Sequence, residues 1–195
     1  MLVISNNCCG GRFYNRHNLE FNNPFIWMVC PNDSIMYVMN NFNKINWFNY
    51  DFEKSTLKKN TYIIKVENVI ELHYVHYNFD SKATKLYTNK DTNEVYYCRI
   101  WEYINQKYLD RVQRMLECKD KPIFLIRDEA YANSNSKYSI KDIAYNNSDY
   151  KRIIITKDKS VTRNDELCKT ILVNKIELPL TTINKYYNSI ISFIN

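Results

Sequence analysis

Only two glycines occur in the 195 residues, and they are neighbours, Gly10 and Gly11. They follow Cys8 and Cys9, which in turn follow an apolar start, Leu2-Val3-Ile4, and a polar link, Ser5-Asn6-Asn7. A chain of this length ordinarily spreads its glycines over many turns. Here the other turns are made with Asn, Asp, Ser or Pro. This one place therefore needs backbone without a Cβ, for a positive φ or for a close approach. A short strand that runs into such a turn and then into a helix constrains the fold more than any other segment. A thiol at that turn is the leading candidate for chemistry.

The rest of the chain alternates strand and helix patterns. A helix is predicted from Ile35 to Phe42, capped by Asp33 or Ser34, with Ile35, Val38, Met39 and Phe42 on one stripe. Tyr62–Val66 and Val69–Tyr77 read as strands that turn at Glu67-Asn68, and 81–95 reads as a polar loop. A long helix is expected from Ile100 to Cys118, with Trp101, Ile104, Tyr108, Val112, Met115 and Leu116 as its apolar stripe. Pro122 opens the run Ile123–Ile126, Ser139 caps a short helix, and Ile153–Ile155 and Ile171–Val173 have strand character. A terminal helix begins at Thr181 or Thr182 and runs to Ile194. This alternation predicts an α/β fold, one domain over 1–195, with a mostly parallel sheet flanked by helices.

Composition narrows the function. The net charge is +6, but the lysines and arginines are scattered, with no run longer than Lys58-Lys59. No zinc-finger or RNA-binding spacing accompanies them, so nucleic acid is not an expected partner. Heavy use of Asn, Ile, Lys and Tyr points to an AT-rich genome, such as that of a giant virus or a low-GC bacterium. The six cysteines include no C-x-x-C pair, so no metal is expected. Met1 leads straight into a strand rather than a signal peptide, and no apolar run reaches the roughly 20 residues of a membrane span. The expectation is a protein of the cytoplasm (host cytoplasm or virion if viral) with reduced thiols. Gly-x-Gly-x-x-Gly, P-loop and Gly-x-Ser-x-Gly motifs are missing, and no cofactor is expected.

In open α/β sheets ligands bind beyond the carboxyl ends of strands, and a helix N-terminus there offers N–H groups and a positive dipole. Cys8 is placed as a nucleophile, with His76 as its base and Asn7 steadying an oxyanion. His73 and His76 alternate along one strand and face opposite ways; His76 lies nearer the polar exit. Gly10 and Gly11 form the substrate loop, and Trp27 walls a pocket. Arg111 and Arg114 share a helix face and can clamp a phosphate or carboxylate. Asp128 follows a buried strand at the end where such a site would lie.

Four segments carry a resemblance. They are Ile4-Ser5-Asn6-Asn7-Cys8, then Pro24-Phe25-Ile26-Trp27, then His76-Tyr77-Asn78-Phe79. The last is the arginine-bearing helix Tyr108–Leu116 with the strand Pro122–Arg127. In this order they resemble the papain-like cysteine peptidase family DUF1796. That resemblance implies a Cys8 nucleophile and a His76 base. Ser5 stands where that family has glycine, and Ile26 where it has aspartate. The Asn-Asn-Cys-x-Gly-Gly start, Asn22-Asn23-Pro24-Phe25 and the motifs Leu72-His73-Tyr74 and Val75-His76-Tyr77 also resemble DUF1919. The resemblance to that family implies a role in exopolysaccharide biosynthesis.

Three readings follow. The first is a Cys–His hydrolase or acyl-transfer enzyme. The second is a glycan-assembly transferase whose sugar donor is held by Arg111 and Arg114. The third is a binding protein with a degenerate site. The expected partner is a peptide or glycan-related substrate. The substrate itself, the choice between Cys8 and Cys9 and the oligomeric state stay open.

Overall fold

The structure is a computed structural model that describes residues 1–54, 62–75, 84–89, 92–128 and 135–195. Its elements run β1 Leu2–Ser5, α1 Cys9–His17, α2 Asn32–Asn41, a 3-10 turn Phe42–Lys44, β2 Tyr50–Lys54, β3 Tyr62–Val66 and β4 Ile70–Tyr74. There follow β5 Thr84–Thr88, β6 Val95–Arg99, α3 Ile100–Glu117, β7 Pro122–Arg127, α4 Ile140–Ala144, β8 Arg152–Thr156, β9 Cys168–Leu172 and α5 Pro179–Ile194. The chain is an α/β protein.

Four strands form a parallel sheet in the order β1-β7-β8-β9. Residues alternate between its two faces, and both faces are covered. Leu2, Ile4, Phe124, Ile126 and Ile154 join the core shared with α2, α3 and α4. Val3, Leu125, Ile153, Ile155 and Ile171 join a second core with Phe13 of α1 and Ile183 and Ile190 of α5. This double burial is why these strands read as unbroken apolar runs. The expectation of a mostly parallel sheet holds here and not for the remaining strands. β2-β3-β4 and β5-β6 pair antiparallel.

The β3–β4 turn falls at Glu67 and Asn68, as expected, both in left-handed conformation at φ 50° and 58°. Ser139 caps α4 in a capping box with Asp142. Other expectations need correction. The supposed loop 81–95 contains β5 and the start of β6. That hairpin buries Tyr87 and Cys98 while its other positions are exposed, so its pattern is too polar to betray strands. On α3, Trp101 and Leu116 are exposed, and Ile100 and Arg111 take buried places on the stripe instead. α2 starts at Asn32 behind Pro31. Asp33 accepts from the Lys137 and Tyr138 amides at 3.2 and 3.1 Å, and Ser34 Oγ from the Glu71 amide at 2.9 Å.

The outer edge of β1 is covered by side chains rather than by a regular strand. The Val3 amide donates to Tyr14 Oη at 2.9 Å, and Asn23 Nδ2 donates to the Val3 carbonyl at 3.0 Å. Beyond β1, the extended stretch Met28–Cys30 stitches the two larger sheets together. Its Cys30 amide donates to Asn6 O at 2.9 Å, and Val29 exchanges both backbone bonds with His73 of β4, at 3.0 and 2.8 Å.

Neither glycine has a positive φ. Both serve close approach. A Cβ on Gly10 would stand 2.8 Å from Ser5 Cβ, and one on Gly11 would stand 2.6 Å from the Trp27 indole. Trp27 itself sits at φ 65°, a left-handed conformation uncommon for an aromatic residue. In an open helix, Gly→Ala gains about 1 kcal/mol from propensity. Here Gly11→Ala should instead lower stability by about 1–3 kcal/mol, the cost of overpacking. Gly10→Ala should do the same, and Ser5→Gly should restore part of that loss. Thermal unfolding of the single and paired variants measures both signs.

Candidate functional site at the carboxyl edge of the parallel sheet

The carboxyl ends of β1, β7 and β8 bring together Asn6, Asn7, Cys8, Arg127, Asp128 and Thr156. Asn6 is fully buried and joins β1 to β7. Its Nδ2 donates to Arg127 O at 2.8 Å, and its Oδ1 accepts from Arg127 N at 3.0 Å. Asn7 is also buried, and both ends of its amide are used. Nδ2 donates to Asn6 Oδ1 at 3.0 Å, and Oδ1 accepts from the Cys9 amide at 2.8 Å. Its Oδ1 holds the first amide of α1, and its Nδ2, the donor expected to steady an oxyanion, is engaged by Asn6.

Cys8 is the first residue at the mouth of α1, half-buried, while Cys9 is fully buried. All six cysteines are thiols. Burial pushes the Cys8 thiol above its ordinary pKa, and the positive charges of Arg127 and Arg12 pull against that rise without cancelling it. Burial pushes Cys9 up to about 12. At neutral pH both are thiols rather than thiolates, the opposite of a thiol poised for attack. Cys8 is thus the one of the pair that reaches solvent, which the sequence left open.

Arg127 is buried, with Nη1 donating to the Glu177 carbonyl at 2.5 Å. Arg12, on the first turn of α1, lies with its guanidinium 5.0 Å from the Trp27 ring. Asp128 is half-buried and accepts from Thr156 Oγ1 at 2.9 Å. Trp27 packs on Gly11 and meets Phe21 edge to face. His76 lies outside the described residues. His73 is fully buried, and its Nε2 meets Glu71 Oε2 at 2.9 Å. That contact holds the Glu71 carboxyl below its usual range. Among the described residues, no three of His, Cys, Asp and Glu gather closely enough to hold a metal ion. No helix among them is long and apolar enough to cross a membrane.

Arg111 and Arg114 do not join this edge. They lie in the last turns of α3, which leads toward the amino end of β7, whereas Cys8 follows the carboxyl end of β1. Arg111 Nη1 donates to Ile26 O at 2.8 Å, and Arg114 pairs with Glu20 at 3.0 Å. Both line a cavity that includes neither Cys8 nor Cys9. The cations at the edge, Arg12 and Arg127, were missed. Each was visible in sequence only by position, one directly after Gly-Gly and one closing an apolar strand.

A four-stranded parallel sheet with a helix N-terminus and two guanidinium groups at its carboxyl edge defines the chain as an α/β protein. A family model described as a domain of unknown function (DUF1919) matches residues 1–175. The chain belongs to the DUF1919 family. The match gives no support to the papain-like family, and none of the curated proteins matches the chain.

Two outcomes are expected. Alkylation of Cys8 in the native protein should titrate with a pKa above the free-thiol range of about 8–9. Cys9 should react only on unfolding, both read by mass spectrometry across pH. Asn6→Ala should cost about 2–4 kcal/mol, because it strands a buried N–H and a buried C=O of Arg127. Chemical denaturation reads that loss.

Proposed function

We propose that the chain is a transferase of surface-glycan assembly that holds the phosphate of an activated sugar at the carboxyl edge of the sheet. The observation that carries this reading is the convergence of Arg12 and Arg127 on the mouth of α1. Their positive charges act on Cys8 there, at the positive end of the α1 dipole. Asp128, oriented by Thr156, is the group that would accept a proton from an incoming hydroxyl. Cys8 lines the site as a neutral thiol. The glycan setting rests on the exopolysaccharide role that the resemblance to DUF1919 implies.

A Cys–His hydrolase is the second reading. The fields of Arg12 and Arg127 on Cys8 favour it, and the burial of the same thiol works against it. The alkylation profile separates the two.

A panel of nucleotide sugars at millimolar concentration should include at least one that raises the unfolding midpoint by several degrees, as a ligand at about 100 times its Kd adds about 2.7 kcal/mol. Arg12→Gln should abolish most of that shift, and Asp128→Asn should leave binding intact while removing turnover. Absence of any shift across the panel, or a shift indifferent to Arg12, sinks the reading.

A further inference from the structure

A second gathering of polar side chains lies away from the carboxyl edge. A cavity of about 410 Å³ opens between α3, the stretch Leu19–Phe21 that follows α1, and β5. That volume is in the range of small-molecule sites. Its walls join rings to cations: Phe21, Tyr87 and Tyr103 with Lys107, Arg111 and Arg114.

The two arginines are held in ways that leave them capacity. Arg111 is 5% exposed, yet among the described residues its one hydrogen bond is the 2.8 Å contact to Ile26 O. A guanidinium has several N–H donors in a planar fork, so most of that fork is uncommitted. Its carbon stands 5.6 Å from the Phe21 ring. No carboxylate among the described residues pairs with it, although burying a charge is costly without an anion nearby. On the next turn, Arg114 gives Nη1 to Glu20 while its Nε is buried with no hydrogen-bond partner among the described residues.

The carboxylates do not neutralise the cavity. Asp110 accepts the Tyr87 hydroxyl at 2.5 Å, which pins that ring against the wall. Tyr87 and Tyr103 meet edge to face, centroids 6.2 Å apart. Lys107, Arg111 and Arg114 outnumber Asp110 and Glu20 by one charge among the lining residues. One small phosphate suits that balance; a triphosphate does not. Planar guanidinium pairs favour phosphate oxygens by bidentate contact, and an aromatic wall favours a flat ring.

We propose that this cavity binds a nucleoside monophosphate, with the phosphate on Arg111 and Arg114 and the base against Tyr87 and Tyr103. The site is separate from the carboxyl edge and does not rest on the transferase reading.

Calorimetric titration of the full chain with AMP, GMP, CMP and UMP tests it, alongside the four nucleosides, ribose 5-phosphate and inorganic phosphate. At least one monophosphate should bind about tenfold or more tightly than its nucleoside and than ribose 5-phosphate. Arg114→Gln should weaken it by about tenfold. Tyr103→Leu should weaken the nucleotide but not ribose 5-phosphate, and Arg12→Gln should leave it unchanged. An unfolding midpoint for each variant confirms that it is folded. The proposal is overturned if no monophosphate binds at millimolar concentration, or if ribose 5-phosphate or phosphate alone binds as tightly. It is also overturned if binding survives both cavity substitutions, or if Arg12→Gln abolishes it, since that would place the ligand at the other site.

Discussion

The side chain of Asn6 satisfies both backbone groups of Arg127, while the Asn6 main-chain carbonyl accepts the Cys30 amide. Three segments of the chain, at Asn7, Cys30 and Arg127, meet at that joint. At the end of β1 the strand must leave the sheet, and its neighbour β7 would lose the partner of its last residue. A buried backbone group left unpaired costs about 1–3 kcal/mol. Asn6 makes good the loss in the plane of the sheet, so β7 runs on to Arg127 while β1 turns away. The same residue sets Asn7 beneath the first turn of α1 through the 3.0 Å amide contact. On the other side it fixes Cys30, and thereby the bridge from Val29 to His73. One short polar residue therefore ties the parallel sheet, α1 and the β2-β3-β4 sheet to a common point.

Much of this frame could be read from sequence because its signals are local. The apolar runs at Ile123–Ile126 and Ile153–Ile155 must be strands buried on both faces, and Ser139 before Asp142 must cap a helix. The Gly-Gly pair marked a place that needs a positive φ or a close approach, and the contacts at Ser5 and Trp27 show it is the second. What escaped are features made by distant residues. β5 and β6 present only Tyr87 and Cys98 to the interior, and a strand with so small a buried set has no period to detect. The edge cations Arg12 and Arg127 stand far apart in sequence, and only the β1–β7 pairing brings them to one place. Arg111 and Arg114 were legible as a shared helix face. Which end of the sheet that face serves was not, because it depends on how α3 enters β7.

The residues that carried the family resemblance turn out to do architectural work first. Asn7 accepts the first amide of α1, Asn23 covers the edge of β1, and Gly10 and Gly11 let α1 lie against Ser5 and Trp27. An open edge strand invites pairing with other chains. Here Tyr14 and Asn23 take up the backbone groups of Val3, so the Asn22-Asn23-Pro24 turn is explained without any ligand. A motif can thus recur because the chain must be folded tightly at one point, and the chemistry there falls to other residues.

Burial has opposite consequences for the two kinds of group at the carboxyl edge. It raises the cost of a thiolate, which keeps Cys8 protonated despite the cations beside it. For Arg12 and Arg127 the same poorly solvated setting strengthens the attraction to an anion that enters, because there is less water to screen it. The positive end of the α1 dipole adds to that attraction. The edge therefore favours a ligand that arrives already charged over a nucleophile that must become charged in place. That preference is our reason for proposing a phosphate-bearing donor rather than an acyl group attacked by Cys8. On that proposal the neutral thiol would be a compact, weakly polar wall beside the anion.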